Sequence, residues 1–172
     1  LPEYRLAPED PYPAALEDAL KAYRWLLARG HAASDIVLSG DSAGGGLMLA
    51  LLLALRDQGL PLPAAAACLS PWTDLTCSGI SWTGNSRKDF MLKLIPTQQS
   101  ADIYLLDTDP YTPLASPLFG ELRNLPPILI QVGSNEAILS DAVQFAEKAR
   151  SAGVDIRLEV WKGMQHEWQY GA

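Results

Sequence analysis

Ile36-Val37-Leu38-Ser39-Gly40-Asp41-Ser42-Ala43-Gly44 is the stretch that decides how this chain is read. Its first four residues have the pattern of a short buried strand, its last five form a G-x-S-x-G pentapeptide, and an apolar run from Leu47 to Leu55 follows. Strand, tight turn and helix in that order lift a serine oxygen clear of the backbone and set it beside the free N–H groups of a helix start. A serine hydroxyl is a poor nucleophile on an ordinary surface, and this turn is one way of presenting it for attack. Gly40 and Gly44 are expected where the chain closes on itself, because a Cβ would clash there. The plainer account is a glycine-rich helix start with Ser42 as its cap.

Working outward, residues 1–13 carry four prolines and cannot be regular structure. Leu16, Ala19, Leu20, Tyr23, Leu26 and Leu27 recur at helical spacing and predict a helix over 14–28, stopped by Gly30. The strand at 36–39 leads into a helix over 43–57 that is apolar almost all round, and therefore buried. Strands are expected at 64–69, 128–132 and 155–160, and helices at 97–106 and 140–152. Strands alternating with helices imply an α/β fold, with a mostly parallel sheet carrying helices on both faces. The chain reads as one partial catalytic domain over 1–172. Within it, 71–127 is poor in strand signal and is either an irregular connector or an insertion that covers a substrate.

Composition narrows the function. The 172 residues are 48% hydrophobic and 19% charged, enough for a real core and against disorder. A net charge of −7 argues against nucleic acid or an anionic membrane surface as partner. No apolar run is long enough to span a bilayer, and the first ten residues lack a signal-peptide pattern. Two cysteines make no disulfide framework; Cys68 reads as a small buried hydrophobe, and a reducing cytoplasm is the expected location. The strand at 155–160 is a candidate edge for pairing across a homodimer.

A nucleophilic serine needs a base to take its proton and an acid to orient that base. With a G-x-S-x-G turn the partners follow in the order Ser, Asp or Glu, His. Of the two histidines, His31 precedes the turn and has an ordinary explanation near a helix C-terminus. His166 follows the strand at 155–160 through a short loop, which puts it at the C-terminal edge of the sheet. The acid belongs just past the strand at 128–132, where Glu136 and Asp141 both stand. Asp141 suits the first turn of the following helix, after Ser140 as its cap, so Glu136 is favoured and Asp141 is the alternative. Ala43, next to the nucleophile, supplies one backbone N–H for an oxyanion hole. Trp72, Trp82 and Trp168 either line a pocket or simply pack.

With Ser42, Glu136 and His166 placed, the chain resembles the bacterial hormone-sensitive-lipase-like esterases of the α/β-hydrolase superfamily over nearly its whole length. Gly-Asp-Ser-Ala-Gly-Gly at 40–45, Tyr4-Arg5-Leu6-Ala7-Pro8-Glu9, Ser70-Pro71-Trp72-Thr73-Asp74-Leu75, and Leu125-Pro126-Pro127 ahead of Gly133-x-x-acid carry the likeness, with His166 about thirty residues after Glu136. The resemblance implies hydrolysis of a small short-chain carboxylic ester through an acyl-enzyme on Ser42, with no cofactor and no metal. Two features depart from the family. Glu136 stands where aspartate is commoner, and the His-Gly-Gly-Gly loop that supplies the second oxyanion donor does not occur in the sequence. On this reading the first strands, the cap and the closing helix lie outside the 172 residues, which alone would be prone to aggregate. The competing readings are a non-catalytic ligand-binding relative that has lost its histidine, which His166 argues against, and a peptidase or thioesterase on the same scaffold.

Overall fold

The computed structural model describes residues 2–171. Nine elements follow the proline-rich start: α1 (Ala14–Ala28), β1 (Val37–Asp41), α2 (Ser42–Asp57), β2 (Ala65–Leu69), α3 (Ser81–Gly84), α4 (Leu94–Leu105), β3 (Ile128–Gly133), α5 (Leu139–Ser151) and β4 (Ile156–Trp161). Short 3-10 turns lie at Ala33–Asp35, Pro117–Phe119 and Trp168–Gly171. The strands form one sheet in the order β1-β2-β3-β4, and every pair is parallel. All four C-terminal ends therefore reach the same edge. Asp41 lies opposite Leu69, Leu69 opposite Gln131, and Gly133 opposite Trp161. In open parallel sheets that edge is where sites collect.

The apolar circumference of α2 is explained by what surrounds it. Met48, Leu49, Leu52 and Leu53 join Ala66, Cys68, Ile128, Ile130, Val132 and the α5 residues Phe145 and Ala146 in one cluster. Ala50, Leu51, Ala54 and Leu55 turn to Leu16 and Tyr23 of α1. Burying a leucine on this scale contributes about 1.5–3 kcal/mol, so this helix anchors the fold from both sides. Cys68 is fully buried, and both cysteines are free thiols.

Helices on both faces were expected; among the described residues α2 and α5 lie against one. On the other, Ala65, Ala67, Leu69 and Leu129 are half-buried while Val37, Arg157 and Trp161 are exposed. The C-terminal turn reaches this face where Gln169 Nε2 donates to Gln131 Oε1 at 3.3 Å. Ahead of the sheet, Arg5 fastens the N-terminal loop to α1 by donating to both Asp18 oxygens, at 2.8 and 3.0 Å, and to Glu17 at 3.0 Å.

Some boundaries differ from the sequence reading. β1 continues two residues further, because Gly40 and Asp41 still pair with Cys68 and Leu69, so Ser42 itself begins α2. α4 starts at Leu94, with Pro96 inside its first turn, where a missing N–H costs no bond. α3 is a single turn of helix within the tract expected to be irregular.

Candidate active site

Ser42 takes φ +49°, in the left-handed region that non-glycine residues rarely occupy, at the junction of β1 and α2. A Cβ on Gly40 would lie 2.6 Å from the Gly44 carbonyl carbon, so glycine is required there. Gly44 corrects the expectation: a Cβ at that position meets open space. The tight contacts fall instead on the next two residues. A Cβ on Gly45 would stand 2.9 Å from Pro71 Cβ, and one on Gly46 would strike the Trp72 carbonyl. These glycines let the loop after β2 lie flat on α2, and the Trp72 N–H donates to the Ser42 carbonyl at 2.9 Å. Ala43 is exposed beside it in the first turn of α2, where backbone N–H groups have no partner within the helix.

Ser42, Glu136 and His166 come together at the C-terminal edge of the sheet. His166 Nε2 is 2.9 Å from Ser42 Oγ, and its Nδ1 is 2.9 Å from Glu136 Oε2. Glu136 is fully buried and His166 is 5% exposed. The other Glu136 oxygen, Oε1, accepts from the Ser70 hydroxyl at 2.8 Å and from the Gly133 N–H. Both donors sit at strand ends, Ser70 just past β2 and Gly133 closing β3. The carboxyl is thus fixed by the sheet, which leaves Oε2 to face the imidazole. Asn85 adds a brace, donating to the Glu136 carbonyl at 2.8 Å. With Nδ1–H held by a carboxylate, Nε2 is the nitrogen free to accept a proton from Ser42.

Asp141 is buried too, but it is turned elsewhere. Its Oδ2 accepts the N–H groups of Thr73 and Asp74 at 3.0 and 2.9 Å, which pins the loop after β2 to the start of α5. Burial, then the nearby Asp74 carboxyl, push its pKa up to about 8. His31 is exposed on the turn after α1. Trp82 is packed in the core, Trp168 lies against Trp161 with ring centres 6.0 Å apart, and Trp72 faces open space near Ser42.

Two hollows meet at the elbow. One, of about 230 Å³, is apolar and lined by Leu6, Ala43, Leu47, Trp72, Tyr104 and Leu114 among others. The second, of about 350 Å³, includes Ser42, Ala43, Trp72, Met91, Lys93 and Ser100. Ser70 and Gly133 entered the sequence reading only as motif positions, with no role in holding the acid, and Asn85 did not enter it. Ser70 and Gly133 carry a usable signal, since each closes a strand on the edge that holds the site; Asn85 carries none.

A model of the alpha/beta hydrolase fold matches residues 1–170. An acetyl-hydrolase of Streptomyces hygroscopicus is 49% identical over 97% of this chain and 56% of its own length. The crystal structure of an esterase from the bacterial hormone-sensitive lipase family superposes with a TM-score of 0.96 at 52% identity, covering 98% of this chain and 57% of that one. The esterase EstE5, in a crystal soaked with p-nitrophenyl butyrate, gives a TM-score of 0.94 at 48% identity, covering 96% and 56%. The chain therefore spans a little over half the length of each.

Proposed function

The chain belongs to the alpha/beta hydrolase fold family, and from that premise we propose that it hydrolyses short-chain carboxylic esters by acyl transfer through Ser42. The observation that carries the reading is the unbroken line from Ser42 Oγ to His166 Nε2 and from Nδ1 to Glu136, both links 2.9 Å. In the proposed reaction Oγ bonds to the ester carbonyl carbon while its proton passes to Nε2. The carbonyl π electrons move onto oxygen, where the Ala43 N–H at the head of α2 donates to the negative charge. Glu136 keeps the imidazole in the tautomer that accepts at Nε2 and stabilises the imidazolium. Collapse breaks the bond to the alcohol, which takes the proton from Nε2. Water then enters, gives a proton to Nε2, and releases the acid by the same steps in reverse order.

The small apolar hollow beside Ala43 suits a short acyl chain, and the names of the relatives, an acetyl-hydrolase and an esterase soaked with a butyrate ester, point the same way. The tract 71–127 reads as a substrate cover, since Trp72, Met91, Lys93 and Ser100 line the hollow that includes Ser42. The test is Ser42→Ala in the full chain, assayed on p-nitrophenyl butyrate. Turnover is expected to fall on the order of 10⁴-fold or more. A variant that still turns over at the wild-type rate moves the nucleophile elsewhere.

A further inference from the structure

The reaction above leaves one group beside the base unused. Glu167 Oε1 lies 3.7 Å from His166 Nε2, the nitrogen that hands a proton to the departing alcohol. Its side chain is 22% exposed, so it reaches solvent beside the base and is not part of the core. The residue holds φ +54°, a conformation that favours glycine, and yet carries a full side chain. Backbone strain of this kind clusters at active sites and ligand clamps. We propose, resting on the roles read above for Ser42 and His166, that Glu167 is a specificity-determining residue that reads charge on the alcohol side of the ester, favouring cationic over neutral alcohols and rejecting anionic ones.

The geometry fixes which half of the substrate is read. The alcohol oxygen must approach Nε2 to collect its proton, so the groups attached to it pass the Glu167 carboxylate. The acyl half lies by Ala43 and the apolar hollow, away from that charge. The titratable groups facing Glu167 are Asp41 at the end of β1, His166 beside it, Glu136 from the turn after β3, and, across Asp41, Tyr170 from the C-terminal turn. Partial burial, and then the neighbouring carboxyl of Asp41, lift the pKa of Glu167, against the opposite pull of His166. The cation that lines the hollow at Ser42, Lys93, is hydrogen-bonded to the Ser86 and Asp89 carbonyls and is not paired with Glu167.

The test compares acetylcholine with 3,3-dimethylbutyl acetate, esters of the same acid and nearly the same shape whose alcohols differ by one positive charge. The readout is the ratio of their kcat/KM values in the full chain, in which any loss common to both cancels. Glu167→Gln is expected to lower the ratio about tenfold, the scale of one partly screened charge at this range. Glu167→Gly, whose backbone suits the positive φ, is expected to do the same and guards against misfolding of the first variant. In the wild type the ratio is expected to fall as pH drops and Glu167 takes up its proton, because the choline charge does not titrate. A ratio unchanged in both variants overturns the proposal and leaves ester hydrolysis standing. A wild type that hydrolyses neither ester overturns the functional reading, and this proposal with it.

Discussion

Glu136 and Asp141 are both buried, and both were candidates for the acid, but they answer to different partners. Glu136 faces His166, whereas Asp141 is spent on the Thr73 and Asp74 amides. Glu136→Gln is therefore expected to cut kcat on p-nitrophenyl butyrate on the order of 10⁴-fold, since an amide can hold the wrong imidazole tautomer. Asp141→Asn leaves the three side chains in place, and its kcat is expected to stay within the same order of magnitude. If only the second variant loses turnover, the acid is Asp141. The same Asp141→Asn variant reports on pH. The pKa of Asp141 is raised in the fold from an ordinary 3.8 to about 8. Between those values the folded chain holds a proton that the unfolded chain has released. That stabilisation is complete below about pH 4 and is lost as pH rises toward 8. Asparagine has no such proton to lose. The Tm of the variant minus that of the wild type is expected to climb from pH 5 to 8 and then level off; a flat difference would mean that Asp141 is ionised in the fold throughout.

At the scale of elements, the glycines at the head of α2 divide into those that need to be glycine and one that does not. Gly40→Ala drives a Cβ into the Gly44 carbonyl, while Gly44→Ala enters open space within a helix. The first is expected to lower Tm and turnover together. The second is expected to hold or raise Tm, because alanine adds up to about 1 kcal/mol of helix propensity to the stability. Equal losses would mean that the turn itself, not the contact, demands glycine at both. This is also where the sequence was least legible. A run of three glycines does not say which of them faces a neighbour, because that depends on where Pro71 and Trp72 settle. By contrast, α1 is observed with the boundaries that its leucine spacing implied. α4 begins at Leu94, three residues ahead of its expected start at 97, because Pro96 falls in the first turn, where a missing N–H costs no bond.

Over the whole molecule, alternation of strand and helix was enough to imply a parallel sheet, and chain order was enough to point to His166, because both follow from local pattern and from a fixed edge. What needed three dimensions was the bracing of Glu136 by Ser70 and Gly133 and the placing of Glu167 beside Nε2. Those contacts join segments that share no periodicity. Their arrangement has a kinetic consequence. Ser42 and His166 are separated by 124 positions, and every link of the sheet between them is a parallel crossover. Loop-closure entropy makes such long-range pairings late steps in folding, whereas α1, α2 and α5 form from near neighbours. After dilution from denaturant, the far-ultraviolet helical signal is expected to recover ahead of ester-cleaving activity, the interval being the time β3 and β4 take to find their register. Simultaneous recovery would mean that the strands pair as early as the helices coil.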